Sequence, residues 1–136
     1  VVFLADCLSS SETLEKYKIG FIYDVGAYLK TLEVVEKMQA EIFVPAHAEA
    51  AETIAPLARL NIEKVLGIAE KITGLCREPL TFEEILKKLF DDYSLKMNFE
   101  QYVLVGSAVR SYLAWLKDEG KLSAEFEENR LLWRTV

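Results

Sequence analysis

Glu41-Ile42-Phe43-Val44-Pro45-Ala46-His47 is a short apolar run that stops at a histidine. Ile42, Phe43 and Val44 have no polar residue between them, the pattern of a strand buried on both faces. Pro45 fixes its own φ and stiffens the exit from that strand. His47 is the only histidine of the 136 residues. Upstream, Val1-Val2-Phe3-Leu4-Ala5 is a second unbroken apolar run, and it ends on Asp6. A carboxylate and an imidazole, each where a buried strand runs out into a loop, can converge on a metal ion.

The residues between the two runs are helical in pattern. Ser9 to Glu12 has the spacing of a capping box for a short helix, with Gly20 as its stop. Asp24 is placed to cap a longer helix reaching about Met38. Its apolar positions Val25, Tyr28, Leu29, Leu32, Val35 and Met38 step by threes and fours along one face. Strand, helices, strand predicts two parallel neighbours joined by a crossover.

Beyond His47 a long helix is expected from about Glu52 to Leu75, with Pro56 tolerated in its first turn. Ile62, Val65, Leu66, Ala69 and Ile72 form its apolar stripe. Gly74 and Arg77-Glu78-Pro79 mark a break. Thr81-Phe82-Glu83-Glu84 opens another helix to about Tyr93, and Asn98 caps the next, helped by Gln101. Gly106-Ser107 is expected to interrupt that pattern before a further helix to Glu119. Lys121-Leu122 and Arg130-Leu131-Leu132-Trp133-Arg134 then flank a polar turn, as in a hairpin. Three helices followed by a hairpin is the order of a winged helix.

Composition excludes several function classes. The chain is 51% apolar and 28% charged, so it is globular rather than disordered. Its net charge of −6 and pI near 4.9 leave no electrostatic footprint for a phosphate backbone. No apolar run approaches the ~18 residues of a membrane span. Residues 80–136 hold eight Lys plus Arg against ten Asp plus Glu, and the hairpin turn carries Glu125, Glu127 and Glu128. Nucleic acid is therefore not the expected partner of the winged-helix-like segment. Cys7 and Cys76 form no CxxC pattern, and a reducing cytoplasm is the expected compartment. Val, not Met, opens the chain inside an apolar strand, which suggests a piece of a longer protein.

Taken singly, the candidate residues keep their ordinary readings. Asp6 can be a turn or capping carboxylate, or a metal ligand that offsets the cost of ending a buried strand on a charge. His47 can be a satisfied loop histidine or a ligand suited to zinc or iron. Cys7 lies on the opposite strand face from Asp6 and is expected in packing. Tyr23, Asp24 and Tyr28 are either a helix cap with packing or the lining of a pocket.

Phe3-Leu4-Ala5-Asp6-Cys7-Leu8 and Phe43-Val44-Pro45-Ala46-His47-Ala48-Glu49 together resemble the later part of the metallo-β-lactamase fold hydrolases. In that superfamily an Asp at a strand end bridges two metals, and a later Pro-x-His-Gly segment supplies a ligand of the second. Many members continue with a long helix and a small winged-helix-like domain. The resemblance implies an α+β chain. Residues 1–50 would be the C-terminal part of an αββα sandwich, residues 51–76 a linking helix and residues 77–136 a winged-helix-like domain. It implies Asp6 as bridging ligand and His47 as ligand of one metal. It also implies a parent hydrolase in which two ions, most often zinc, activate a water against an ester, thioester, amide or phosphoester of a small-molecule substrate. The family's H-x-H-x-D-H ligands and a further His lie upstream and are absent from this sequence. The chain alone is therefore expected to be inactive, with its zinc site empty or weakly filled. It is also expected to associate with itself or with a separate N-terminal half. Two local departures stand out: Ala5 where Gly is frequent, and Ala48 where Gly is usual. The alternative is a winged-helix regulatory module, or a structural or oligomerising one, without catalysis.

Overall fold

The computed structural model describes residues 1–136 and orders them as β1 (Val2–Ser9), α1 (Ser11–Tyr17), α2 (Val25–Lys37), β2 (Phe43–His47), α3 (Ala55–Leu75), α4 (Phe82–Asp92), α5 (Phe99–Asp118), β3 (Leu122–Glu127) and β4 (Arg130–Thr135). The class is α+β, as expected. No helix is long and apolar enough to cross a membrane. The residues group into two compact units, one of residues 1–18 and 25–66, the other of residues 19–24 and 67–136. The division falls inside α3, between Leu66 and Gly67.

In the first unit β1 and β2 pair in parallel, which is the arrangement the strand–helix–strand order predicts. Val2 faces Phe43, Phe3 faces Val44, Ala5 faces Pro45 and Ser9 faces His47, with register slips on either side of Ala5. Leu4, Leu8 and Phe43 pack with Leu32 and Val35 of α2 and with Ile54 and Ala58 around the start of α3. Phe43 is fixed further by its backbone. Its N–H donates to the Ala51 carbonyl at 2.8 Å, and its own carbonyl accepts from Ala51 N–H at 3.0 Å. Phe3 stays outside this cluster and is 78% exposed, with Val1 at 72%.

Three boundaries between β1 and Gly20 differ from the sequence expectation; in addition β2 is displaced by two residues from the expected 41–45, and α3 begins at Ala55 rather than near Glu52. β1 does not stop at Ala5 but continues to Ser9, because Leu8 still has core to fill and is fully buried. The cap of α1 is Ser10 rather than Ser9; its hydroxyl accepts from Thr13 N–H at 3.2 Å. The helix then stops at Lys18, which takes φ 60 before the chain reaches Gly20.

In the second unit the capping box at Thr81 forms as the sequence predicts. Glu84 N–H donates to Thr81 Oγ1 at 3.3 Å, and Thr81 N–H donates to Glu84 Oε2 at 2.8 Å. Asn98 caps α5 by accepting from Gln101 N–H at 2.8 Å. The expected interruption at Gly106-Ser107 is absent, and α5 runs unbroken through it. Gly106 is buried there, and a Cβ on it would stand 3.4 Å from Phe82 Cζ. That is ordinary van der Waals contact, and the buried neighbours Val105, Ala108 and Val109 carry the helix through the glycine despite its helix penalty of about 1 kcal/mol. The hairpin closes through Glu128 and Asn129, both at positive φ (50 and 63), the two-residue turn that matches strand twist. Leu80 and Trp133 exchange backbone hydrogen bonds at 3.1 and 2.8 Å and hold β4 to the segment before α4.

Candidate metal centre

Asp6 and His47 come together. His47 Nε2 lies 2.8 Å from Asp6 Oδ1, with both side chains largely exposed, at 62% and 81%. His47 closes β2, and Asp6 stands inside β1 where the pairing slips. The slip has a local cause. Ala5 adopts φ 49, a left-handed conformation that costs an L-residue about 1–2 kcal/mol. That twist inserts extra residues between the Ala5–Pro45 and Ser9–His47 pairs and leaves Asp6 exposed beside the core-facing Leu4 and Leu8. Replacing Ala5 by Gly relieves the strain. Ala5→Gly is expected to raise stability by about 1 kcal/mol in a urea melt, and an unchanged or lower midpoint would count against the strain. The second departure has no such effect: Ala48 keeps a negative φ.

Cys7, next to Asp6, is half-buried against the hydrophobic cluster, so it lies in packing as expected, although Leu8 beside it faces the same cluster and the strand does not alternate regularly here. Burial, a backbone hydrogen bond and the charge of Asp6 act on it together, and burial prevails, pushing its thiol up. Of the aromatic and acidic residues weighed for a pocket, Tyr28 instead donates its hydroxyl to the Cys7 carbonyl at 3.0 Å. Tyr23 is 86% exposed and lines nothing at the site. No group of three or more His, Cys, Asp or Glu side chains gathers anywhere to hold a metal.

A cleft of about 450 Å³ adjoins the pair, lined by Ser10, Ser11, Glu12, His47, Ala48, Glu49 and Leu57. Its wall carries two carboxylates and no lysine or arginine. Close by lies a residue that sequence reasoning missed. Asn61 of α3 is 2% exposed, the one buried polar residue of the core. Its Oδ1 accepts from Ser9 N–H at 3.0 Å, and its Nδ2 donates to the Ser9 and Leu57 carbonyls, both at 2.9 Å. The available signal is its place on the apolar stripe of α3, between Ala58 and Val65.

Solved proteins with the same arrangement of elements are found by structure rather than by sequence. A beta-lactamase domain protein from Burkholderia ambifaria superposes with a TM-score of 0.76 at 14% identity, over 98% of this chain and 41% of that one. A metallo-beta-lactamase family protein from Thermus thermophilus gives 0.61 at 16% identity, over 80% of this chain and 33% of that one. The chain has a metallo-β-lactamase fold. It spans less than half the length of either of these solved proteins. By sequence it matches no described family and no curated protein.

Proposed function

We propose that this chain is the part of a metal-dependent hydrolase that supplies Asp6 and His47 to a two-metal site. The observation that carries the reading is the 2.8 Å contact between two exposed side chains set at the end of a parallel ribbon. A carboxylate oxygen and an imidazole nitrogen suit zinc in kind. In number they do not, because zinc takes four donors and this chain brings two together. The other ligands come from outside these residues, from a longer chain or from a separate N-terminal partner. When bound, zinc supplies Lewis acidity and lowers the pKa of water. The chain's own residues do the rest: Asp6 and His47 exchange their mutual contact for the metal as donors, and the cleft beside them receives the substrate. Ester, thioester, amide and phosphoester are the candidate linkages.

For the 136-residue chain alone the expected result is sub-stoichiometric zinc after gel filtration and no esterase turnover. Tight stoichiometric zinc with turnover would overturn the reading of an incomplete site. Asp6→Asn and His47→Ala should each abolish the residual zinc binding. Because both side chains are exposed, neither should shift stability by more than about 0.5 kcal/mol.

Residues 77–136 are read as a winged-helix-like tail that packs or shapes the substrate rather than binding DNA, since Glu125, Glu127 and Glu128 at the hairpin repel phosphate. Two free cysteines suit a reducing cytoplasm. The exposed Val1 and Phe3 at β1, whose only strand partner is β2, favour association with a second copy or with the N-terminal half. Light scattering should show an average mass that climbs with concentration, and Phe3→Lys should flatten that climb. A native chain that stays monomeric at millimolar concentration would refute it.

A further inference from the structure

We infer that Asn61 is the positioning residue of the Asp6–His47 pair. This rests on the reading of that pair as a site, and the coupling runs through the backbone. Ser9 is the β1 residue that faces His47 across the parallel ribbon. Beyond Ala5 the register has slipped, and Ser9 depends on a partner outside the ribbon. One buried amide fills that role, accepting from Ser9 N–H on its oxygen and donating its own N–H to the Ser9 carbonyl. The same amide is anchored in α3 by its bond to the Leu57 carbonyl, so it cannot rotate away without losing three hydrogen bonds. Buried backbone groups without partners are costly, and so the end of β1 stays where Asn61 holds it. Tyr28 secures the same segment from α2 through the Cys7 carbonyl. Asp6 thus sits on a segment pinned just beyond it, at residues 7 and 9, by side chains from two different helices. Ser10 and Ser11, which line the cleft, follow directly from the pinned residue. An aspartate at position 61 could accept from Ser9 N–H but could not donate to either carbonyl.

The single histidine makes the idea testable without metal or substrate. In the metal-free 136-residue chain at pH 8, imidazole 15N resonances come from His47 alone. Asp6→Ala defines their position when the pair is broken. Asn61→Ala should reproduce most of that displacement. Val35→Ala, a buried change on α2, should lower the melting temperature and leave the resonances in place. Should Asn61→Ala fail to fold, Asn61→Asp, which keeps the acceptor for Ser9 N–H, should give a partial displacement. Asn61 variants whose imidazole signals overlay the native ones would overturn the inference. Equal displacement by Val35→Ala would overturn it too, because the role would then be general stability. Residual zinc binding that survives both Asp6→Asn and His47→Ala would sink the metal reading and leave this measurement untouched.

Discussion

Phe43→Ala is expected to cost the first unit about 3–5 kcal/mol, and with it the site. Phe43 is 2% exposed and packs in the small core with Leu4, Leu8, Leu32 and Val35. A core of this size has little surplus stability, since domains as a whole hold only about 5–15 kcal/mol. Loss of the ring leaves a cavity that the two-stranded ribbon cannot readily close by collapse, because Phe43 is held by both of its backbone bonds to Ala51. His47 lies further along the same strand, so its partner Ser9 should lose protection together with it. Amide exchange checks this: faster exchange should reach Val2, Phe43 and Ala51 alike. A variant that melts within about 1 kcal/mol of the native chain would show that the aromatic ring is not what holds the ribbon.

Alkaline pH should destabilise the chain, most of all through two groups whose protons the native state retains. Burial pushes the Cys76 thiol up from 9.0 to about 11. Burial, with a smaller contribution from the Cys7 charge, pushes the Tyr28 hydroxyl up from 10.0 to about 12. In each case the unfolded chain releases the proton first, so stability falls as pH rises. The Cys76 contribution is complete below pH 9 and lost by about pH 11; that of Tyr28 is complete below pH 10 and lost by about pH 12. A two-unit shift corresponds to roughly 2–3 kcal/mol for each group. Urea midpoints between pH 7 and 9 should be level and should fall above pH 9. Cys76→Ala removes the first part of that fall. An unaltered profile in Cys76→Ala would place the alkaline sensitivity elsewhere.

What the sequence makes legible depends on how local its causes are. The caps at Thr81 and Asn98 are bonds between residues three apart, and both form as expected. The apolar runs around Phe3 and Phe43 do form strands, and the crossover between them does make them parallel. The meeting of Asp6 and His47 rests on β1 and β2 being parallel neighbours, although Asp6 lies inside β1 rather than at its end. Other features depend on partners distant in sequence. Gly106 reads locally as a helix breaker, yet the buried face around it, with Val105, Ala108 and Val109, keeps α5 continuous. The continuation of β1 past Asp6 depends on core space for Leu8. Asn61 holds Ser9 across 52 residues, and no short-range pattern announces such a bond. The conformation of Ala5 is legible only as a departure from glycine, the residue to which positive φ belongs by default.

That conformation has an evolutionary corollary. Alanine and glycine codons differ in a single base, so this position can drift between the two residues in one step. The chain shows that the left-handed turn survives the heavier of them, at a cost of about 1–2 kcal/mol. Absence of the glycine before Asp6 therefore need not change the backbone there, and sequence filters that demand glycine would discard chains whose carboxylate stays exposed at this position.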